Sequence, residues 1–232
     1  MARPPLRAPL VYRSLRLRRM EAMDDPGLDP ALRETALRGL ESIAAWPGQR
    51  RPILETLLRW TGGLPERGRT LRVVELGAGS GHLSRWLAGE MAARGIRAEW
   101  IPTDARPQPG VAALEMADEK AYPDADIFLS NLVWHHLPDE VLCASVRAME
   151  ARARIGWMAY DLHRHWLHYY GARLALGRLP AILRFDGALS IQQGYRREEL
   201  ERLLARAGCG EAEIRWCFPF RWLVRRVKGE RP

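Results

Sequence analysis

Short apolar runs alternate along this chain with segments whose apolar positions recur every three to four residues, and that alternation predicts an α/β protein. Leu71, Val73, Val74 and Leu76 make the first run, with the β-branched content of a buried parallel strand. Five residues with almost no side chains follow, Gly77, Ala78, Gly79, Ser80 and Gly81. From His82 the pattern switches, with Leu83, Trp86 and Leu87 at helical spacing. Residues 98–103 read as a second strand ending at Asp104, and residues 111–116 as a third. Residues 125–130, capped by Asn131, form the fourth strand, and residues 153–160, ending at Asp161, the fifth. Helices are predicted over 138–151 and 196–207, the latter closed by Gly208, and residues 211–227 read as a terminal hairpin with Pro219 near its middle.

The flanks of this pattern are helical. Asp29-Pro30 opens a helix with Leu32, Ala36, Leu37, Leu40 and Ile43 on one face, and Pro47-Gly48 breaks it. A second helix runs from Pro52 through Trp60 and closes at Gly62-Gly63. Residues 1–70 are thus expected to be an N-terminal helical cap and residues 71–232 the main domain. Between Asp104 and the third strand, ARPQPG is too short and proline-rich for a crossover helix. Residues 162–190, rich in aromatics and histidines, are predicted helical and placed as a lid after strand five.

Composition narrows the class. A hydrophobic share of 47% with 28% charged residues is that of a globular chain. No apolar run approaches the roughly 18 residues of a membrane span, although Trp166, Tyr169 and Tyr170 among arginines leave peripheral membrane contact open. The basic, proline-containing residues 1–20 lack the apolar core and cleavage site of a secretory signal. Three scattered cysteines, without metal or disulfide spacing, fit a reducing cytoplasm. The net charge of +8 raises nucleic acid as a partner. Lys120 and Lys228 are the only lysines, however, and the arginines are spread along every segment, so compositional bias explains the charge as well as a binding surface would.

The glycine turn carries the most specific signal. A dinucleotide fingerprint needs glycine where His82 stands. The pattern here is Glu75-x-Gly77-x-Gly79-x-Gly81, a complete E-x-G-x-G-x-G that resembles motif I of the class I S-adenosylmethionine (SAM) dependent methyltransferases. The resemblance implies a Rossmann-like fold: a mostly parallel twisted sheet, helices on both faces, an N-terminal helical cap and a helical lid after strand five. It implies SAM as cofactor, with Gly77, Ala78, Gly79 and Gly81 cradling its methionine end. Glu75 would fix the turn or reach the donor's amino group. Asp104, 23 residues after Gly81, stands where a nucleotide fold places its ribose acid. Asp118 matches the acid that meets the adenine amino group, with Glu115 and Glu119 as nearby alternatives. Asp126 and Asn131 fit the motif IV region, and Asn131 joins the donor-binding set.

The string Val133-Trp134-His135-His136-Leu137-Pro138-Asp139-Glu140 resembles two groups at once. One is the quinone-biosynthesis type, with N-x-x-x-H-H-L-x-D. The other is the plant-type small-molecule O-methyltransferases, whose V-L-H-D-W-S-D-E string makes its first histidine the general base. The carry-over falls on His135, with His136 in the place of a non-catalytic Asp; the alternative is that one histidine caps the next helix and the other packs under the cofactor. A hydroxyl acceptor must lose a proton, which suits a group titrating near neutrality. Asp161 could orient a histidine or bind a substrate hydroxyl. Asp161, His163 and His165 lack a fourth ligand in sequence, so no metal is expected. Asp161-Leu-His-Arg, the string DDPGLDP at 24–30 and Gly194-Tyr195-Arg196 together resemble bacterial methyltransferases encoded beside type III polyketide synthases, which methylate phenolic lipids. The expectation is O-methylation of a phenolic or polyketide-derived small molecule. Carbon or nitrogen methylation of a quinone precursor or amine, RNA methylation, and a non-catalytic SAM-binding partner stay open, as does a homodimer through the N-terminal helices.

Overall fold

The structure, a computed structural model, describes residues 16, 17, 19, 21–25, 27–44, 49–62, 69–175, 177 and 179–228. The apolar runs become strands β1 (Leu71–Leu76), β2 (Ala98–Asp104), β3 (Ala112–Ala113), β4 (Ala125–Asn131) and β5 (Ala153–Leu162), followed by β6 (Glu213–Cys217) and β7 (Arg221–Val227). They form one sheet in the order β3-β2-β1-β4-β5-β7-β6. The first five pair in parallel, while β7 lies antiparallel to both β5 and β6, as the predicted hairpin requires. β1 is central because Leu71, Val73, Val74 and Leu76 are all fully buried, which only a strand covered on both faces achieves.

Helices supply the cover. On one face α4 (Asp139–Arg152) and α7 (Arg197–Arg206) bury Val146, Met149 and Leu200 with Val74, Phe128 and Trp157. On the other, α2 (Arg51–Trp60) and α3 (His82–Ala92) bury Ile53, Leu57 and Leu87 with Val73, Ile127 and Met158. The predicted third strand shrinks to two residues. Val111, Leu114 and Met116 are buried as its pattern demanded, but only Ala112 and Ala113 pair with β2, at the sheet edge. Without a crossover helix nothing holds a longer strand in register.

α1 (Pro30–Ala44) starts as expected: Asp29 Oδ1 accepts the amides of Ala31 and Leu32 at 2.8 and 3.3 Å, an N-cap. Of its expected stripe, Ala36 is covered and Leu32 is half exposed, while the side chains of Leu37, Leu40 and Ile43 lie outside the described ones. The predicted lid is two helices, α5 (Trp166–Ala175) and α6 (Ala181–Gln193). Gly39 of α1 meets α6 so closely that a Cβ would come 2.1 Å from Leu183 Cδ1, which accounts for glycine inside a helix. Pro47-Gly48, Gly63 and most of 1–20 lie outside the described residues. Among those described, no helix is long and apolar enough to cross a membrane.

Candidate active site

The strand order brings the C-terminal ends of β1, β2, β4 and β5 to one edge, where open α/β sheets bind ligands. At the end of β1, Gly77, Gly79 and Gly81 all take left-handed backbone, with φ of 67, 54 and 70°. The glycines are required for different reasons. A Cβ on Gly77 would lie 2.4 Å from Val133 Cγ2, whereas a Cβ on Gly79 would meet nothing within 4 Å. Gly79 therefore opens onto empty space, the feature a donor's methionine end needs. The Ala78 amide donates to Thr103 O at 2.8 Å and its carbonyl accepts the Gly81 amide at 2.8 Å, locking the turn against β2.

Glu75 fixes this turn. It is 2% exposed and its Oε2 accepts the Ser84 amide at 3.1 Å and the Ser84 hydroxyl at 2.5 Å. Gly81, the residue before α3, has no side chain to cap the helix, so the strand acid caps it from outside. Burial pushes the Glu75 carboxyl up to about 7, against the pull of the two Ser84 hydrogen bonds. Asp104, at the end of β2, accepts the Gly79 amide at 2.9 Å on one oxygen and the Arg106 amide at 2.9 Å on the other. Each oxygen keeps a lone pair for a ribose hydroxyl. Asp118 sits in an exposed turn beyond β3, where its Oδ1 accepts the Lys120 amide at 3.0 Å. Asn131, half-buried at the end of β4, lies in register with Tyr160 of β5.

Beyond Asn131 the chain passes Leu132, whose φ of 59° is unusual for a branched side chain, and forms a short 3-10 turn over Trp134–His136. This turn carries His135 inward. His135 is 5% exposed, and its Nδ1 lies 2.7 Å from Asp161 Oδ1 at the end of β5. An ionised carboxylate can only accept, so Nδ1 carries a proton, and in the neutral form of the ring Nε2 keeps a lone pair. Burial works against ionising Asp161, but the charge and hydrogen bond of His135 outweigh it and hold its carboxyl below the usual range. His163 and His165 do not share this contact. β5 ends at Leu162, and beyond it His163 and His165 pack among Phe220, Trp222 and Trp166.

The residue that the sequence pattern did not single out is Glu21. Its carboxylate is 5% exposed and reaches within 3.9 Å of His135 Nε2 and 4.0 Å of His136 Nε2, while the two imidazole rings lie 4.2 Å apart. Burial raises the Glu21 carboxyl, and the two histidines oppose that shift. Glu21 is delivered by the segment before α1, which α6 holds in place. Asp186 accepts the Ala22 and Met23 amides at 2.9 and 3.0 Å, and Ser190 and Gln193 donate to Glu21 Oε1 at 2.5 and 3.1 Å. Nothing local marks Glu21, because all these partners lie more than a hundred residues away.

Two of the strings noted in the sequence meet beneath this site. His163 bridges to Tyr195, the Tyr195 amide donates to Leu162 O at 3.0 Å, and the Tyr195 hydroxyl donates to Trp134 O at 2.7 Å. Arg164 pairs with Glu199 at the start of α7. The Asp161-Leu-His-Arg and Gly-Tyr-Arg segments thus brace the turn that presents His135.

A seven-stranded sheet in this order, with E-x-G-x-G-x-G closing its central strand, is the class I methyltransferase fold. No family model matches the chain. Among curated proteins it is similar to trans-aconitate 2-methyltransferase of Mycobacterium tuberculosis, 35% identical over 128 residues, and equally to that of Mycobacterium bovis. The match covers 51% of this chain and 45% of those relatives, so the chain spans less than half their length. Among solved structures, the plantazolicin methyltransferase BpumL in complex with SAH superposes with a TM-score of 0.61 at 12% identity, over 87% of this chain and 91% of that one. The CurJ carbon methyltransferase gives 0.53 at 12% identity, over 77% of this chain and 53% of that one. The chain is thus similar over about half its length to a methyltransferase and shares the fold of others, and the open face of Gly79 beside Asp104 fits S-adenosylmethionine.

Proposed function

We propose that this chain transfers the methyl group of SAM to an oxygen of a small acceptor, a phenolic or polyketide-derived hydroxyl. The observation that carries this reading is the buried Asp161–His135 pair, in which Nδ1 meets the acid and Nε2 is left facing Glu21. SAM supplies a methyl carbon already activated by the sulfonium charge. The protein's task is then alignment and removal of the acceptor proton. Gly77, Ala78, Gly79 and Gly81 hold the methionine end, Asp104 the ribose, and Asp118 and Asn131 complete the donor site. His135 Nε2 takes the hydroxyl proton, Asp161 stabilises the imidazolium that results, and His136 lines the same space. The arrangement matches the logic of a base oriented by a third group.

The test is incubation of the purified protein with methyl-labelled SAM and three acceptor pools: alkyl-substituted phenols and catechols, quinone precursors with amines, and bulk tRNA. Label in the phenolic pool, lost in His135→Ala, is the expected result. Label confined to quinone precursors, amines or tRNA overturns the oxygen reading, and donor binding without any transfer overturns catalysis.

A further inference from the structure

The Glu21 carboxylate, His135 Nε2 and His136 Nε2 converge from two distant stretches of chain, with all three ligand atoms within 4.8 Å of one another. We propose that these three side chains bind a divalent transition-metal cation, zinc or an ion of like preference, at the mouth of the acceptor site. Two imidazoles and one carboxylate are the donor set of open, substrate-accepting metal sites rather than of closed structural ones. Asp161 behind His135 supplies the outer half of the arrangement. A carboxylate on Nδ1 fixes the tautomer and turns the Nε2 lone pair toward the cation.

Glu21 gives the independent argument. It is a nearly fully buried carboxylate whose polar neighbours are Ser190, Gln193 and the two histidines, with no arginine or lysine paired to it among the described residues. A buried carboxylate with no permanent positive charge beside it is costly to ionise. The strap that carries it is also anchored by specific bonds to Asp186, so its arrival beside the two imidazoles is built rather than incidental. Glu21 oxygens stand 3.9 and 4.0 Å from the two Nε2 atoms. Ligands of a tetrahedral zinc, at about 2.0–2.2 Å from the ion, lie roughly 3.4 Å apart, so a cluster whose ligand atoms lie within 4.8 Å of one another has to draw together by up to about an ångström or a little more on a cation.

This inference rests on the acceptor-site reading and refines one step of it. In the loaded protein His135 Nε2 is a ligand, and the acceptor oxygen occupies the open position on the cation. Its proton passes to solvent as the oxygen binds, after which the O–CH3 bond forms as the S–CH3 bond breaks. Without the cation, Nε2 takes that proton itself.

The experiment uses untagged full-length protein, stripped with chelator and titrated with Co2+ alone. Expected are one equivalent bound, the intense visible absorption of a low-coordinate cobalt site, and its loss on adding Zn2+. Glu21→Gln and His136→Ala should each weaken cobalt binding at least ten-fold. Asp161→Asn should weaken it roughly ten- to a hundred-fold, as outer-shell partners do. His136 is on the surface of the cluster, so its variant keeps the test open if Glu21→Gln detaches the strap. No visible band, or unchanged binding in both ligand variants, overturns the cation. If the protein takes up no cobalt on titration and still methylates phenols, the cation is overturned while the proton-accepting reading stands. A cobalt-loaded protein that methylates no oxygen acceptor goes against the functional reading and leaves the metal site in place.

Discussion

Gly81 opens α3 without a side chain to cap it, and Glu75 does that work from the neighbouring strand. The arrangement has a pH signature. In the fold the Glu75 carboxyl stands at about 7 against an ordinary 4.5, so the folded chain keeps a proton that the unfolded chain releases between those values. Stability from this group is therefore fullest below about pH 4.5, falls as pH rises toward 7 and is flat beyond, by on the order of 3 kcal/mol. Urea melts at about pH 5 and about pH 8 should show that loss in the wild type and a smaller one in Glu75→Gln, which keeps an acceptor for Ser84. Equal losses in both would remove Glu75 as the cause. The two neighbouring glycines separate fold from ligand. Gly77→Ala strikes Val133 and should cost about 1–3 kcal/mol of stability. Gly79→Ala meets no protein atom, so it should lower SAM affinity at least ten-fold while its melting temperature falls less than that of Gly77→Ala. Unchanged affinity in Gly79→Ala, by calorimetry, would move the donor elsewhere.

Single elements show how much the sequence could reveal. β1, the glycine turn and α3 were legible because strand, turn and helix are adjacent and each residue pattern is local. The third strand was overread: residues 111–116 are apolar because they are buried, yet only two of them find a pairing partner at the sheet edge. The Asp161 cluster was half legible. The acid does contact a histidine, but the chain leaves the strand at Leu162, so His163 and His165 pack with Phe220 and Trp222 and the partner is His135, 26 residues earlier. Glu21 was illegible, since its meaning depends on α6 and on the turn after β4. That dependence gives a prediction at the same scale. Asp186 accepts the two amides that hold the strap, so Asp186→Ala should raise the acceptor KM several-fold and leave SAM affinity intact, because the donor turn belongs to other elements. An unchanged KM would show that the strap does not shape the acceptor site.

For the whole molecule, the topology gathers one contribution from each central strand: the glycine turn after β1, Asp104 after β2, Asn131 and His135 after β4, and Asp161 from β5. Many arginines are spent on neighbouring acids, among them Arg69 on Asp126, Arg164 on Glu199, Arg197 on Glu201 and Arg226 on Glu211. The charge therefore adds nothing to the case for RNA as acceptor. The central claim is that an oxygen is methylated and that His135 governs its proton. The most direct measurement is the single-turnover methylation rate of wild type and His135→Ala across a series of phenols of decreasing pKa. The account predicts a loss of roughly 10²–10⁴-fold for weakly acidic phenols, shrinking steadily for phenols already ionised at the assay pH. A loss that is the same for every phenol, or no loss at all, would contradict it.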